Sequence, residues 1–294
     1  PEGPLRVTGQ VQYGGDAPAF DLQLASENLR LQPEGDAPDA LPVDVRGAFR
    51  LRGVPAGWLL VGEAALARDG EEATLRLAGR GDTAALQVES LQAAMPTGTL
   101  AGRGRIAWSP TLAAVLDARL DGFDPGYFLP DYPGAVRGDL DVDAAQSADG
   151  EWTASVSLAA LGGQLRGRAL GGRADVRWQA DRGDVAADLR IGQSTLRADG
   201  RFGARYDLAI DATPLVLGDL LAGGDGRIEG RLQLRGTPEA LDAEGALTAD
   251  GLAWNGWRAE ALRLGGALPV RGVGALRLQG RGLSLDGTAL DALA

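Results

Sequence analysis

Hydrophobic residues alternate with polar residues along almost the whole chain, and no long helical pattern interrupts them. The alternation is clear in Leu75–Leu77, Leu232–Leu234, Leu262–Leu264 and Leu276–Leu278. A period of two places every second side chain on the same face of a sheet. We therefore expect one face of leucine, valine, isoleucine and alanine, and an opposite face of arginine, aspartate, glutamine and glycine.

Turn signals separate about nineteen strand-like runs along the chain. Asp69-Gly70, Asp149-Gly150 and Asn255-Gly256 are typical of tight hairpin turns, because aspartate, asparagine and glycine accept positive φ angles. Since the turns between successive runs are short, we expect each strand to pair with the next one in an antiparallel meander.

Two segments break the alternation. Asp124–Pro130 is bounded by prolines and predicts a single helical turn with Pro125 at its first position. Thr213–Leu221 has apolar residues at helical spacing and predicts a short helix capped by Thr213. The expected fold is all-β: a long, curled, antiparallel-rich sheet that forms an open, solenoid-like groove, with one or two short helical turns.

A short pattern recurs along the chain. Val136–Val142 resembles both Ile228–Leu234 and Val45–Leu51, and each copy has glycine at its third position. The glycine predicts a bend, a bulge or a close backbone approach within a strand. The loose repeat predicts units near residues 45–120, 121–210 and 211–294, within one elongated sheet segment, residues 1–294, of a longer protein.

Composition argues against an enzyme. The 294 residues include no histidine and no cysteine, and all 29 basic residues are arginine. The commonest general base, thiol chemistry and Schiff-base lysines are therefore excluded, and we expect neither a catalytic residue nor a cofactor. The net charge of −11 also argues against nucleic acid as a partner, because an anionic surface is repelled by phosphates.

One acidic segment resembles the start of a calcium-binding loop. Asp139, Asp141 and Asp143 have the spacing of the first three ligands, but Ala144 replaces the required glycine and Gly150 the required glutamate. On a strand, the three acids share one outward face. We therefore predict no metal site.

The apolar face allows two interpretations. Either the sheet closes on itself and its leucines pack against each other, or the sheet stays open as a trough lined by aliphatic side chains. An open trough suits acyl chains, since burial of hydrocarbon gains about 0.8 kcal/mol per CH₂ group. The residues predicted to line it are Leu75, Leu77, Leu140, Val142, Val156, Leu158, Ile228, Leu232, Leu234, Leu262, Leu264, Leu276 and Leu278.

Three motifs resemble TamB-type proteins, the translocation and assembly module proteins of the AsmA-like group in Gram-negative bacteria. They are Phe123–Gly134, Gly226–Leu241 and Trp108–Pro110, each followed by a strand. The resemblance covers most of residues 98–294 and is weaker before residue 98.

The resemblance implies a location and partners. TamB-type proteins lie in the periplasm, are anchored in the inner membrane by a helix that is absent here, and partner an outer-membrane barrel protein of the TamA type. Their sheet is a curled "β-taco" with a hydrophobic interior, and they have no catalytic residues. The implied function is a periplasm-spanning bridge for phospholipid transfer and outer-membrane assembly. The alternatives are a chaperone-like scaffold that binds outer-membrane protein strands by strand addition, and a plain β-solenoid stalk.

Overall fold

The computed structural model describes residues 3–15, 17–31, 43–68, 70–238, 240–268, 275–285 and 288–289; for residues 31, 267–268, 275–278 and 288–289 it describes the backbone only. These residues form an all-β fold with two short helical segments, as predicted. The strands are β1 (Arg6–Gln12), β2 (Ala19–Leu31), β3 (Val43–Val54), β4 (Gly57–Arg68), β5 (Glu71–Gly81), β6 (Ala85–Ala94), β7 (Thr99–Ala107), β8 (Ala113–Phe123), β9 (Gly134–Gln146), β10 (Trp152–Leu165), β11 (Arg168–Gln179), β12 (Arg182–Ile191), β13 (Ser194–Gly203), β14 (Tyr206–Val216), β15 (Asp225–Thr237), β16 (Ala240–Trp254), β17 (Trp257–Leu268), β18 (Ala275–Arg281), β19 (Ser284–Leu285) and β20 (Thr288–Ala289).

The strands pair in the order in which they follow each other along the chain. Contacts divide the chain into a first unit, residues 1–154, and a second unit, residues 155–294. In the first unit β1 to β9 form successive antiparallel pairs, and in the second unit β11 to β18 do the same. The predicted meander is therefore present within each unit, whereas the predicted repeat units remain a prediction.

The hairpin between β16 and β17 illustrates how sequence sets the turns. Asn255 and Gly256 have φ angles of +47° and +82°. Two consecutive positive φ angles are characteristic of the tight turn that matches the twist of paired strands. The turn places Trp254 directly opposite Trp257 and so fixes the register of both strands.

In neither unit do the described residues seal a face of the sheet into a closed core. Extensive contact between strands is limited to sequence neighbours, apart from the short β19, which lies beside β17. No large side chain in the described part of the chain is fully buried. A compact cluster of buried residues occurs only locally, where Ala73, Met95 and Tyr127 meet. The structure therefore favours the open alternative over a sealed core.

The two short helical segments differ in how well the sequence predicted them. A 3₁₀ turn spans Pro125–Tyr127, with Asp124 as its N-cap, as predicted. The helix α1 spans only Leu217–Leu220, and its N-cap Val216 makes no side-chain capping bond. The prediction of a helix capped by Thr213 was wrong: Thr213 lies in β14, where its hydroxyl donates to the Asp211 carboxylate.

Glycines within strands allow neighbouring backbones to approach closely, as predicted for the repeated pattern. Gly230 has a φ angle of +145°, and a Cβ atom added to it would lie 2.0 Å from the carbonyl oxygen of Ala246 on the adjacent strand. Any other residue would combine an unfavourable φ angle with a backbone clash. The position therefore requires glycine.

We expect Gly230→Ala to destabilise the second unit by about 2 kcal/mol or more, because the new methyl group clashes with backbone atoms. The matched control is Gly171→Ala, since the nearest atom to an added Cβ there is 3.8 Å away. Urea unfolding followed by circular dichroism measures both variants. Equal stability of the two variants would contradict the close approach at Gly230.

Candidate functional site

Apolar side chains of neighbouring strands line up across the first unit. Residues directly opposite each other in an antiparallel pair project from the same face, so a chain of such pairs forms a rung across the sheet. Three adjacent rungs are apolar and run from β1 or β2 to β9. Ser26 is their one polar side chain. We name these three rungs the first apolar face. They are Val7, Leu24, Phe49, Gly62, Leu77, Leu91, Gly102, Ala118 and Leu140; Ser26, Gly47, Ala64, Leu75, Ala93, Leu100, Leu120 and Gly138; and Gly9, Leu22, Leu51, Leu60, Gly79, Val88, Gly104, Leu116 and Val142.

The second unit repeats this arrangement. Its rungs contain only aliphatic residues and glycine, and we name them the second apolar face. They are Gly172, Leu189, Leu196, Ala212, Gly230, Leu247 and Leu264; Ala174, Ala187, Ala198, Ile210, Leu232, Gly245 and Gly266; Val176, Val185, Gly200, Leu208, Leu234 and Ala243; and Leu215, Ile228, Ala249, Leu262 and Gly280.

Most of the predicted lining residues fall on these two faces. Leu75, Leu77, Leu140 and Val142 share the first face. The five predicted residues of β15 and β17 share the second: Ile228, Leu232, Leu234, Leu262 and Leu264.

The other four predicted residues lie in β10 and β18. Ser157 of β10 donates a 2.7 Å hydrogen bond to Asp175, whose side chain lies opposite to the apolar face. Val156 and Leu158, its neighbours in β10, therefore project towards the apolar side. The backbones of Leu276 and Leu278 pair with Gly266 and Leu264, but their side chains lie outside the described residues.

The apolar faces are partly exposed: Val88 and Leu120 of the first face are buried, but most of the large side chains on both faces keep some exposed surface. Leu60 of the first apolar face is half-buried, whereas Leu59 and Val61, its neighbours on the opposite face, are 57% and 59% exposed. The predicted lining residues with described side chains are half-buried, except Val156, which is 38% exposed. Side chains of this kind retain apolar surface that a ligand can cover.

The opposite, polar face is a ladder of ion pairs. In the second unit one rung alternates in charge, with Arg173, Asp188, Arg197, Asp211 and Arg231 in sequence. Arg231 Nε lies 2.6 Å from the Asp211 carboxylate. Hydrogen bonds from Thr213 and then Arg231 lower the pKa of Asp211. Because these pairs are exposed, they contribute little stability individually, but they place charge on one face only.

In each unit, a short helical segment fixes one end of several strands. In the first unit, Tyr127 packs on Ala73 and Met95, and its hydroxyl donates to the carbonyl of Leu66. Burial raises the pKa of Tyr127. Asp124 holds the turn by accepting hydrogen bonds from the backbone N–H groups of Gly126 and Gly134, at 2.8 and 2.7 Å.

In the second unit, Asp219 of α1 fixes the strand ends, and it is only 3% exposed. Its carboxylate accepts hydrogen bonds from Gln193 N at 2.9 Å, Ser194 N at 3.2 Å and Ser194 Oγ at 3.0 Å, and pairs with Arg168 at 3.3 Å. Sequence reasoning missed Asp219, because its partners are 25 and 26 residues away in the chain and no local motif marks it.

We expect Asp219→Ala to lower the free energy of unfolding by about 1–3 kcal/mol, since the buried donors of Ser194 and the partly buried N–H group of Gln193 lose their acceptor. The control is Asp225→Ala, because Asp225 is exposed and, among the described residues, accepts a hydrogen bond only from its neighbour Gly226. Chemical denaturation measures both. A control variant that is as destabilised as Asp219→Ala would contradict this role.

No group of three or more histidine, cysteine, aspartate or glutamate side chains in the described part of the chain is arranged to hold a metal ion. Among the same residues, no helix is long and apolar enough to cross a membrane. An ion-paired face and a partly exposed aliphatic face on opposite sides of one antiparallel sheet define the chain as an open, all-β sheet protein.

The chain belongs to the TamB family: the family described as "TamB, N-terminal domain" matches residues 3–294. The match therefore includes residues 3–97, where the motif resemblance was weaker. No solved structure matches the chain.

Proposed function

We propose that this chain is a periplasmic segment of a bridge between the inner and outer membranes, and that phospholipid acyl chains move along its apolar faces. Membership of the TamB family supports a role in a translocation and assembly module of the outer membrane. The observation that carries the lipid proposal is the continuity of the apolar rungs: three of them run side by side across β2 to β9, with Ser26 as their one polar side chain.

The rungs suit a hydrocarbon chain that slides rather than one that binds at a fixed place. Each methylene that leaves water gains about 0.8 kcal/mol. Because successive strands lie about 4.8 Å apart and present similar aliphatic or glycine surface, an acyl chain meets nearly the same environment at each strand. Movement is then diffusive and needs no chemical step, while the head group stays in water at the ends of the strands.

The proposal includes partners and a place in the cell. An outer-membrane barrel protein of the TamA type receives the cargo, and an inner-membrane helix anchors the full-length protein. The absence of histidine, cysteine and lysine fits a transport component without catalysis.

Photocrosslinking with p-benzoylphenylalanine tests which face meets lipid. We expect the probe at Leu77 to form phospholipid adducts in the periplasm of a Gram-negative host, and the probe at Arg76 to form none. The two positions are adjacent in β5 but project from opposite faces. Mass spectrometry of the purified chain detects the adducts. Equal lipid adducts at both positions would contradict binding by one face.

A charge on the apolar face should block lipid uptake. We expect Leu232→Arg to reduce copurifying phospholipid several-fold while the sheet stays folded, because Leu232 is half-buried in a single layer and the longer side chain can reach water. Gln233→Arg, on the opposite face, is the control. Lipid extraction and circular dichroism are measured together, and unfolding of Leu232→Arg would indicate a packed core instead.

One observation favours a second candidate function, the binding of unfolded outer-membrane strands. All seven residues of β1 are exposed, and within the described residues β1 pairs only with β2. Such an edge can accept an added strand. This candidate predicts that a probe at Val11 crosslinks to polypeptide rather than to lipid.

A further inference from the structure

The alternation of charge on the polar face fails at one place in the first unit. In the second unit a complete rung reads Arg177, Asp184, Arg201, Asp207, Arg235 and Asp242, so that each arginine faces acids on the neighbouring strands. The corresponding rung of the first unit has Asp21 of β2 opposite Arg52, but across β3 to β7 it has leucine and glutamine where acids would alternate with the arginines. Its residues across β3 to β7, which we name the arginine patch, are Arg52, Leu59, Arg80, Gln87 and Arg105.

The arginine patch is exposed and incompletely neutralised. All five of its side chains are exposed, and Leu59 is 57% exposed. Arg80 pairs with Glu89, but Arg52 and Arg105 make neither a hydrogen bond nor an ion pair with any described residue. Two guanidinium groups with free donors beside an exposed leucine form a surface that is both basic and apolar.

The nearest acids are already committed to other groups. Asp21 accepts two hydrogen bonds from Arg50, which lower its pKa. Asp82 accepts hydrogen bonds from the backbone N–H groups of Ala84 and Ala85, which lower its pKa. The charges of Arg52 and Arg105 also lower the pKa values of Asp21 and Asp82, respectively, but neither arginine donates a hydrogen bond to these acids, so their guanidinium donors remain available to an outside anion.

The surface at the arginine patch has a depression that can accept side chains of a partner. This depression of about 460 Å³ is lined by Trp58, Leu59, Arg80, Gln87 and Arg105, and also by Asp82, whose carboxylate is hydrogen-bonded to the backbone. The volume admits a few side chains and is too small for a folded domain.

The charge of the whole unit favours a narrow partner over a membrane surface. Residues 1–154 contain 12 arginines and 23 acidic residues, a net charge of −11, whereas residues 155–294 contain 17 of each. A broad anionic surface, such as a membrane, would be repelled by the net negative charge of the whole unit. A narrow anionic segment feels mainly the local arginines, because salt screens charges beyond roughly 10 Å.

The spacing of the patch matches a helix. Arginines on alternate strands lie about 9.6 Å apart, and Leu59 and Gln87 lie halfway between them. Residues seven apart on a helix lie about 10.5 Å apart, and residues three or four apart lie at about half of that distance. Alternate residues of an extended strand repeat at about 6.6 Å instead, which does not match.

We propose that the arginine patch binds an amphipathic α-helix of a partner protein, with acidic residues seven positions apart and apolar residues between them. The acids pair with Arg52, Arg80 and Arg105 in turn, and the apolar residues cover Leu59 and the neighbouring Val61, which is 59% exposed. The site lies on the opposite face of the sheet from the apolar rungs, so it does not depend on the proposed lipid transport.

The test uses the complete 294-residue chain and two labelled 18-residue peptides of equal composition. One peptide has glutamates seven apart with leucines at the third and fourth positions between them, and the other has the same residues in scrambled order. Fluorescence anisotropy measures their affinity for the wild type, for the double variant Arg52→Glu/Arg105→Glu, and for Arg137→Glu. Arg137 is the control because it is exposed and has no ion-pair partner among the described residues.

We expect the heptad peptide to bind at least tenfold more tightly than the scrambled one, and the double variant to lose at least tenfold in affinity while the control does not. Circular dichroism verifies that the variants are folded. Equal affinity for both peptides, or no loss in the double variant, would overturn the proposal. Vesicles containing phosphatidylglycerol are the final probe: if they bind with the same dependence on Arg52 and Arg105 and the peptide does not, the patch is a membrane contact.

Discussion

The whole arrangement depends on strand register. Side chains alternate between faces along every strand, so a slip of one residue in any pairing would move a full set of leucines to the polar face. In a sandwich, the opposing layer would oppose such a slip. Here no large side chain of the described residues is fully buried, and the register is set by turns, by ion pairs on the polar face and by the close backbone contacts that glycines allow.

A bulge in β6 illustrates how the apolar face survives a change in the sequence pattern. Leu91 and Ala93 occupy odd positions, whereas Leu86 and Val88 occupy even positions. The register shifts between these two sets, so that Leu77 faces Leu91 while Gly79 faces Val88. Relative to β5, Glu89 is the one extra residue, because Ser90 still pairs with Ala78, and the two apolar sets therefore project from the same face. Glu89 then pairs with Arg80 on the polar face.

The sequence predicted the fold class because a period of two is a local signal that repeats in every strand. Most of the residues chosen as groove-lining lie on the apolar faces for the same reason, and their contact with lipid stays a prediction. The hairpin at Asn255 and the turn at Pro125 were predicted for the same reason: each depends on the backbone preference of one or two residues. The prediction of a helix capped by Thr213 was wrong because strand pairing extends past this residue. Leu215 pairs with Ile228 after a register shift, although the apolar residues there have helical spacing. Tertiary pairing overrode a weak local preference.

The burial of Asp219 and the arginine patch could not have been predicted from spacing alone. Each arises from residues that are distant in the chain and meet only when a particular register is formed. Arg52 and Arg105 are 53 positions apart, and their relation is visible only through the pairs that run across β3 to β7. The leucine at position 59 looks in sequence like part of an apolar run with Leu60 and Val61.

That run shows how one strand can serve two surfaces. Leu60 belongs to the first apolar face and is half-buried, while Leu59 and Val61 project to the polar face and are among its most exposed apolar residues. If leucine at position 59 were present only to stabilise the strand, a charged residue would serve better on a face that is largely polar. An exposed leucine between arginines costs solubility and is explained most simply by a partner that covers it. Because the sheet is one layer thick, a ligand on one face and a protein on the other can bind the same strands without competing for the same side chains.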